Sequence, residues 1–185
     1  MYKSNVHKDR ILPPKKGNVI NILLGNSADP SNNHQEMLEK LLPYKNENMA
    51  IYCPLSYGVR DYAVQIEKLG GELFGDKFKP LLEFMPFDKY IALLGQIDIA
   101  VFAHKRQQAM GNTFTLLGLG KKVFMRSTVT PWKALQDLGI QVFDVEQLDI
   151  SPLSPELAEM NYKIISTQFS EQNLVTQLKK LFGEE

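Results

Sequence analysis

The sequence predicts an α/β protein with a Rossmann-like parallel sheet and helices on both faces of the sheet. Short apolar runs alternate along the chain with stretches in which apolar residues recur at helical spacing. The apolar runs are nearly continuous, which is typical of strands buried on both faces. Ligands of such sheets bind beyond the carboxyl ends of the strands, so we expect a site there.

The elements follow from this pattern in chain order. The apolar runs predict strands, including two short ones, at Val19–Leu24, Met49–Leu55, Glu72–Phe74, Leu81–Met85, Ile97–Phe102, Lys122–Met125 and Ile140–Phe143. Capping residues and breakers predict seven helices. The first begins at Ser31, Asn32 or Asn33, the second ends at Gly70-Gly71, and the third begins at Pro86-Phe87-Asp88 with Asp88 at or near the N-cap. The other four are predicted at Thr113–Leu119, Pro131–Gly139, Leu157–Ile165 and Leu174–Leu181.

Composition narrows the function classes. The chain has 185 residues, with 21 Lys plus Arg and 21 Asp plus Glu, so its formal net charge is zero. A balanced charge argues against a nucleic-acid binder. The sequence contains no apolar run of about 20 residues, as a membrane helix requires, and no signal peptide. Cys53 lies in an apolar run and is expected to be a buried hydrophobe, with no disulfide and no cysteine-built metal site.

The chain also divides into an arm and a domain. Residues 1–17 end in the breaker cluster Pro13-Pro14-Lys15-Lys16-Gly17 and are predicted to be an arm or a former interdomain linker. Residues 18–185 are predicted to form one domain with a sizeable core. The sequence contains no internal repeat and no low-complexity tract.

The loop between Phe102 and Thr113 is the strongest candidate for a ligand site. It combines His104, Lys105 and Arg106 with two glutamines, Gln107 and Gln108. Gly111, Asn112 and Thr113 follow, where a helix is expected to start. Cationic and amide donors beside free helix N–H groups bind anions, so we favour a phosphate site over a solvated basic loop.

Gly25-Asn26-Ser27 follows the first strand and could contact a phosphate or a sugar hydroxyl; a glycine-permitted turn with a capping serine remains the alternative. No Gly-x-Gly-x-x-Gly fingerprint and no Walker A loop are present, which argues against NAD binding and P-loop phosphoryl transfer.

Three single residues have open or structural roles. Asp29 could either face the cleft or cap a turn. Trp132 is expected to pack in the core, and Tyr57 could either pack or bind ligand.

Several segments resemble one family in the same order. They are Ile22–His34 (ILLGNSADPSNNH), Cys53–Gly58 (CPLSYG), Glu83–Thr113 with its Arg-Gln-Gln-x-x-Gly core, and Pro131-Trp132. These segments resemble the dTDP-N-acetylfucosamine:lipid II N-acetylfucosaminyltransferases, also called 4-alpha-L-fucosyltransferases. The resemblance runs from about Val19 to Phe143.

The resemblance implies a GT-B architecture, in which two Rossmann-like domains face a cleft and the C-terminal one holds the donor. It implies transfer of an amino-deoxysugar to a polyprenyl-diphosphate-linked saccharide, by an enzyme located in the cytoplasm and peripheral to the inner face of the cytoplasmic membrane. It also implies that no metal and no cofactor are needed. Since this chain has the length of one domain, it resembles the donor-binding half, and we expect little transfer by this chain alone.

The resemblance also assigns roles. The donor diphosphate would be held by Arg106, Gln107, Gln108, Gly111, Asn112 and Thr113, with Gly25, Asn26 and Ser27 opposite. The base would meet Met85, Pro86 and Phe87, while Tyr57, His104 and Lys105 are weaker candidates. No catalytic residue is assigned. The alternatives are a GT-B-like sugar-nucleotide epimerase and a non-catalytic Rossmann-like binding or regulatory module.

Overall fold

The computed structural model describes residues 17–183 and confirms the predicted α/β class. Six parallel strands form one sheet in the order β3-β2-β1-β4-β5-β6. The strands are β1 (Ile20–Leu24), β2 (Met49–Pro54), β3 (Phe78–Leu81), β4 (Ile99–Phe102), β5 (Lys122–Met125) and β6 (Phe143–Asp144). The order reverses between β1 and β4, and this is where doubly wound sheets bind ligands.

Seven α-helices connect or follow the strands in the described part of the chain. They are α1 (His34–Leu41), α2 (Arg60–Phe74), α3 (Phe87–Gln96), α4 (Met110–Gly118), α5 (Thr130–Asp137), α6 (Pro155–Gln168) and α7 (Glu171–Phe182). None of the helices between residues 17 and 183 is long and apolar enough to cross a membrane.

The sheet has a hydrophobic core on each face. Ile22 and Leu24 of β1 belong to the core on one face, whereas Leu23 between them belongs to the core on the other. Because alternate side chains of a strand point to opposite faces, a strand buried on both sides is apolar at nearly every position. The exception in β1 is Asn21, whose side-chain amide donates to Gln96 C=O. This explains why continuous apolar runs, and not alternating ones, predicted the strands.

The predictions around the third strand were wrong. The strand is Phe78–Leu81 and not Leu81–Met85, and Glu72–Phe74 is helical. The helix continues past Gly70 and Gly71 to Phe74. A Cβ on Gly70 would lie 2.5 Å from the Phe78 ring, so this glycine allows α2 to pack closely on β3 and does not end the helix. The stop is Gly75, whose φ of +55° suits a C-terminal glycine.

Other boundaries also differ from the sequence prediction. Helix α3 starts where predicted, with Pro86 as its N-cap and Asp88 in its first turn, whereas α4 begins at Met110, three residues before Thr113. The last strand is Phe143–Asp144 and not Ile140–Phe143. Near the predicted start of this strand, the backbone N–H and C=O of Gln141 bond the Asn161 side chain and not a neighbouring strand.

The remaining predictions concern two single residues and the N-terminal arm. Cys53 is buried as expected, and burial raises the pKa of its thiol well above the ordinary value, which disfavours a thiolate nucleophile. Trp132, in the first turn of α5, is partly buried and packs against one of the two hydrophobic cores, as predicted. Most of the predicted arm, residues 1–16, lies outside the described residues, as do residues 184–185.

The loops that follow the strands meet at one edge, as parallel topology predicts. The loop after β1 bonds the loop after β2 through Ala28 N–H to Tyr57 C=O and Val59 N–H to Ala28 C=O. It also reaches β4 through Gly25 N–H to Val101 C=O. The backbone C=O of Ala103 accepts from the Asn33 side chain and from Arg126 Nε. This edge is where the candidate site is built.

Candidate functional site

The first turn of α4 forms one wall of the candidate site. Ala109 is its N-cap with a φ of +57°, and the first backbone bond of the helix runs from Thr113 N–H to Ala109 C=O. The N–H groups of Met110, Gly111 and Asn112 therefore have no partner within the helix. Free N–H groups and the positive end of the helix dipole attract an anion to this point.

This geometry changes what three of the predicted residues can do. Gly111 and Asn112 lie in the first helical turn, where their backbone N–H groups have no partner within the helix. Thr113 is 1% exposed, and its hydroxyl donates to Ala109 C=O. Its position favours holding the helix start in place over direct contact with a ligand.

Beneath the loop lies a network of buried or half-buried polar side chains, which we call the inner network: Asn26, Ser31, Asn32, His104 and Gln108. Gln108 donates from Nε2 to Asn26 Oδ1 at 3.2 Å and accepts from the Ser31 hydroxyl at 2.9 Å. His104 Nε2 lies 2.8 Å from Asn32 Oδ1 and 3.0 Å from Asn26 Oδ1. The network joins the loop after β1 to the loop after β4.

The inner network fixes the tautomer of His104. Asn32 Oδ1 accepts from Asn26 N–H, and Asn32 Nδ2 donates to the C=O groups of Ser27 and Asp29. The Asn32 amide cannot be turned round without losing these bonds, so its oxygen faces His104. His104 Nε2 must then carry the hydrogen, and Nδ1 is the unprotonated nitrogen.

Both described imidazoles are neutral at physiological pH. Burial, with the Arg106 guanidinium nearby, lowers the pKa of His104 from its ordinary 6.5 to about 4. Burial beside His104 lowers the pKa of His34 to about 4 as well. The sequence interpretation of His104 as a further donor to an anion is therefore wrong, because its one N–H is used inside the protein.

Two predicted residues of the loop after β1 face inward. Ser27 is 3% exposed, and its hydroxyl accepts from Asn32 Nδ2. A Cβ on Gly25 would lie 2.4 Å from His34 Nε2 and 2.8 Å from Asn32 Oδ1, and the φ of Gly25 is +68°. Both residues thus have clear internal roles, and the geometry favours these over contact with a ligand.

The outer part of the same loop faces solvent. Lys105, Arg106 and Gln107 are exposed. Arg106 approaches Asp29 at 3.9 Å, and the side chains are 65% and 42% exposed, so this ion pair is loose. Asp29 caps the short turn Pro30–Asn32, and its bonds from Ser31 hold its pKa below the ordinary value.

A cavity of about 270 Å³ opens on the other side of α4. Residues from the loops after β1, β2 and β3 and from α3 and α4 line it: Asn26, Pro54, Ser56, Tyr57, Leu81, Glu83, Phe84, Met85, Phe87, Tyr90 and Asn112. Phe84 is 82% exposed, so one wall is a free aromatic face. The size and aromatic lining suit a single flat ring better than a whole nucleotide.

The cavity brings together five residues that the sequence singled out: Asn26, Tyr57, Met85, Phe87 and Asn112. Pro86 is the N-cap of α3 and does not line the cavity. Sequence reasoning missed the cavity residues Glu83, Phe84 and Tyr90. The misplaced third strand hid the first two, because strand residues alternate between the faces of a sheet, whereas these two lie in the exposed loop that follows Leu81.

Two phenols are oriented by amides at this cavity. Asn112 Nδ2 donates to the Tyr90 hydroxyl at 2.9 Å, and Asn26 Nδ2 donates to the Tyr57 hydroxyl at 3.0 Å. Each hydroxyl keeps its own hydrogen for donation. Burial raises the pKa of Tyr90 to about 12, so this group is a neutral donor. No group of three or more His, Cys, Asp or Glu side chains between residues 17 and 183 is placed to hold a metal ion.

The chain matches one known protein family over most of its length. Residues 3–175 match the model of the 4-alpha-L-fucosyltransferase family, glycosyl transferase group 56. The chain belongs to this family. The match covers nearly the whole chain, including every residue of the site described above.

Solved structures with the same fold include glycosyltransferases. A glycosyltransferase from Rickettsia africae superposes with a TM-score of 0.71 at 16% identity, over 91% of this chain and 48% of that one. The C-terminal domain of a glycosyl transferase group 1 family protein from Francisella tularensis gives 0.59 at 12%, over 86% and 89%. An E. coli structure described as trehalose-6-phosphate bound with UDP-2-fluoro glucose gives 0.62 at 12%, over 89% and 43%.

These likenesses show the fold of the group 56 chain. The chain spans less than half the length of the Rickettsia and E. coli chains that it matches, and most of the length of the isolated Francisella domain.

Proposed function

We propose that this chain is the donor-binding half of a GT-B glycosyltransferase and that it binds a dTDP-linked sugar. The complete enzyme would transfer an amino-deoxysugar of the 4-acetamido-4,6-dideoxygalactose type to a polyprenyl-diphosphate-linked saccharide. One observation carries the proposal: an aromatic cavity and the open N-terminus of α4 lie side by side and share Asn112. A flat base and an anion are thereby accommodated next to each other.

The cavity would hold the base. Thymine presents two carbonyl oxygens, and the Tyr57 and Tyr90 hydroxyls can each donate toward the cavity. Phe84 and Phe87 supply exposed rings for stacking. Adenine has no carbonyl group, so this donor set favours a pyrimidine over adenine.

The diphosphate would sit at the N-terminus of α4. The N–H groups of Met110 to Asn112 face it, and Lys105, Arg106 and Gln107 are free enough to close over it from the solvent side. These groups would stabilise the negative charge that builds up on the diphosphate when the sugar leaves. This requires no metal ion.

The ribose environment supports a deoxyribose. The buried part of α4, Phe114 to Gly118, carries no acidic residue that could bind a 2′-hydroxyl. The absence of such an acid does not weaken the binding of a thymidine nucleotide, because its deoxyribose has no 2′-hydroxyl.

The remaining parts of the reaction would come from elsewhere. The acceptor and the groups that activate it are assigned to an N-terminal domain, with residues 1–17 as the link between the domains. The complete enzyme would work peripherally at the inner face of the cytoplasmic membrane, where lipid-linked acceptors are found. The chain alone would bind the donor but transfer little sugar.

A nucleotide panel in a thermal-shift assay tests the proposal. The melting temperature of the chain should rise with dTDP, and the rise should grow with dTDP concentration as mass action requires. ADP, ATP and NAD, at matched concentration, should give no comparable rise. Stabilisation by NAD or ATP instead would favour a different binding module, and no response to any nucleoside diphosphate would overturn the proposal.

A further inference from the structure

His104 lines a second, smaller opening at the sheet edge. This crevice, of about 10 Å³, is lined by Phe102, His104, Arg106, Gln108, Met110, Thr113, Met125, Val129 and Pro131. Its volume accommodates about one water-sized group. Neither Asn26 nor Asn32, the partners of His104 Nε2, lines it. Since Nε2 is used for the inner network, the edge that carries Nδ1 is the one left for the crevice.

We propose that His104 Nδ1 accepts a hydrogen bond from an O–H or N–H group of the sugar carried by the bound nucleotide. The inference rests on the proposed donor site and adds a sugar-reading residue to it. His104 would be a specificity-determining residue, since it contacts the transferred sugar and not the nucleotide.

The chemistry of Nδ1 restricts the partner to a donor. The tautomer is fixed by Asn32, so Nδ1 carries a lone pair and no hydrogen. His104 is 3% exposed, and its hydrogen bonds to other residues between 17 and 183 are made by Nε2. Among residues 17–183, the fully buried side-chain nitrogen or oxygen atom that has no hydrogen-bond partner is His34 Nε2. His104 Nδ1 is not such an atom, so it is not fully enclosed by the protein. A phosphate oxygen has no hydrogen to offer it, whereas a sugar hydroxyl or an acetamido N–H has.

The position of the crevice fits the far end of a nucleotide sugar. The α4 N-terminus separates two openings: Asn112 lines the base cavity, while Met110 and Thr113 line the crevice. With the base in the cavity and the diphosphate at the helix N-terminus, the sugar lies toward His104. The order of the three binding elements along the edge matches the order of the three parts of the ligand.

The walls of the crevice increase the discrimination between sugars that have a hydrogen-bond donor opposite Nδ1 and sugars that lack one. Met110, Met125, Val129 and Pro131 are apolar, and the Gln108 amide is already bonded to Ser31 and Asn26. A bound sugar that lacks a donor at this position would cover Nδ1 and leave it unsatisfied. Sites that leave a buried polar atom unpaired with the wrong ligand reject that ligand strongly.

The variant His104→Gln tests the inference in the whole chain. Glutamine can place its N–H₂ near the position of Nε2 and keep the bond to Asn32, but it offers no acceptor at the position of Nδ1. Binding of dTDP and of dTDP-4-acetamido-4,6-dideoxygalactose is measured by calorimetry for the variant and the wild type. We expect unchanged dTDP affinity and about fivefold to tenfold weaker binding of the sugar nucleotide.

The outcomes separate the two proposals. If the wild type does not bind dTDP, the donor site itself is wrong. If dTDP binds and the variant matches the wild type for the sugar nucleotide, or loses affinity equally for both ligands, the role of His104 is overturned. His34→Gln is the matched control, since it alters a buried imidazole that does not line the crevice; a sugar-specific loss in this variant would also overturn the inference.

A measurement on the wild type covers the case in which His104→Gln fails to fold. Nitrogen NMR of ¹⁵N-histidine-labelled protein reports the protonation of each ring nitrogen. We expect Nδ1 of His104 to resonate as an unprotonated nitrogen and to shift when the sugar nucleotide binds, with a much smaller shift on binding of dTDP. A protonated Nδ1, or equal shifts with both ligands, contradicts the proposal.

Discussion

The loop between β4 and α4 has two parts that differ in how tightly they are held. Its inner residues, His104 and Gln108, are bonded to the loop after β1 at 2.8–3.2 Å. Its outer residues, Lys105 to Gln107, are exposed, and the ion pair of Arg106 with Asp29 is 3.9 Å long. The inner part determines the shape of the site, while the outer part is free to move onto a ligand.

The comparison shows that a residue type in a ligand loop does not reveal its role. Gln107 and Gln108 are adjacent and identical in chemistry, yet the Gln108 amide is used at both ends by the protein, whereas Gln107 is exposed. We therefore expect changes in the inner part to cost stability and changes in the outer part to cost affinity. The predictions that follow separate these two effects.

Acid is expected to produce the largest effect, through the inner part. His34 and His104 have pKa values of about 4 in the folded chain, against 6.5 ordinarily. The unfolded chain therefore takes up protons that the folded chain does not, and the stabilisation is complete above pH 6.5 and lost as the pH falls toward 4. We expect a loss of up to about 3 kcal/mol for each imidazole, measured by urea unfolding from pH 7 to pH 4.

The same experiment on His104→Gln sharpens the assignment. This variant lacks one of the two imidazoles whose pKa is lowered in the folded chain. The change in the free energy of unfolding between pH 6.5 and pH 4 should therefore fall by about half. An unchanged slope would mean that His104 takes up its proton at the same pH in the folded and unfolded chain, contrary to the burial that the structure shows.

Gly25→Ala is expected to be nearly as costly. Its φ of +68° disfavours any side chain, and the new methyl group would collide with His34 and Asn32. We expect a loss of about 3 kcal/mol in the free energy of unfolding, from backbone strain together with overpacking. Gly71→Ala in α2 is the control, because a Cβ there meets nothing within 4 Å, and it should not destabilise. Equal stability of the two variants would contradict the close packing of the loop.

The pair Gln108→Ala and Gln107→Ala compares the two parts directly. Loss of the Gln108 side chain leaves Ser31 and Asn26 each without one partner, which should cost about 1–2 kcal/mol of stability. Gln107→Ala should change stability by less than about 0.5 kcal/mol. Chemical denaturation of both variants checks this, and a larger cost for Gln107 would reverse the assignment of inner and outer residues.

Arg106→Ala is expected to leave stability unchanged and to weaken dTDP binding about tenfold. Its ion pair with Asp29 is too exposed to stabilise the fold. Arg126→Ala is the control: this arginine is 12% exposed, bonds Ala103 C=O and pairs with Glu36 and Glu146. We expect a lower melting temperature for Arg126→Ala. Calorimetry with dTDP measures the affinity of Arg106→Ala and of the wild type. Unfolding of Arg106→Ala instead would assign Arg106 a structural role.

The fold could be predicted because its signal is local. The run Ile99–Phe102 is apolar throughout, and Ile20–Leu24 is apolar except at Asn21, as burial on both faces favours. The prediction was wrong at Gly70, where packing against a residue distant in sequence decides the conformation, and at residues 82–85, where an apolar run lies in a loop and not in a strand. Gly70 stays helical to accommodate the Phe78 ring, and the exposed segment after Leu81 forms a cavity wall.

The site could be predicted only in outline. The sequence identified the loop and the helix start, and it named five of the residues that line the cavity. It could not distinguish residues that point inward, such as Ser27 and Thr113, from residues that point outward, such as Arg106. It also missed Asn32, whose amide fixes the His104 tautomer, because that role depends on bonds to four other residues.

Titration of dTDP into the ¹⁵N-labelled chain, followed by amide NMR, tests the central claim most directly. The account predicts that the largest shifts occur at the backbone N–H groups of Met110, Gly111 and Asn112 and in the loop residues 105–107. Smaller shifts are expected around Tyr57 and Tyr90, at the base cavity. Shifts centred elsewhere on the sheet, or no shifts at saturating dTDP, would contradict the assignment of this edge as the donor site.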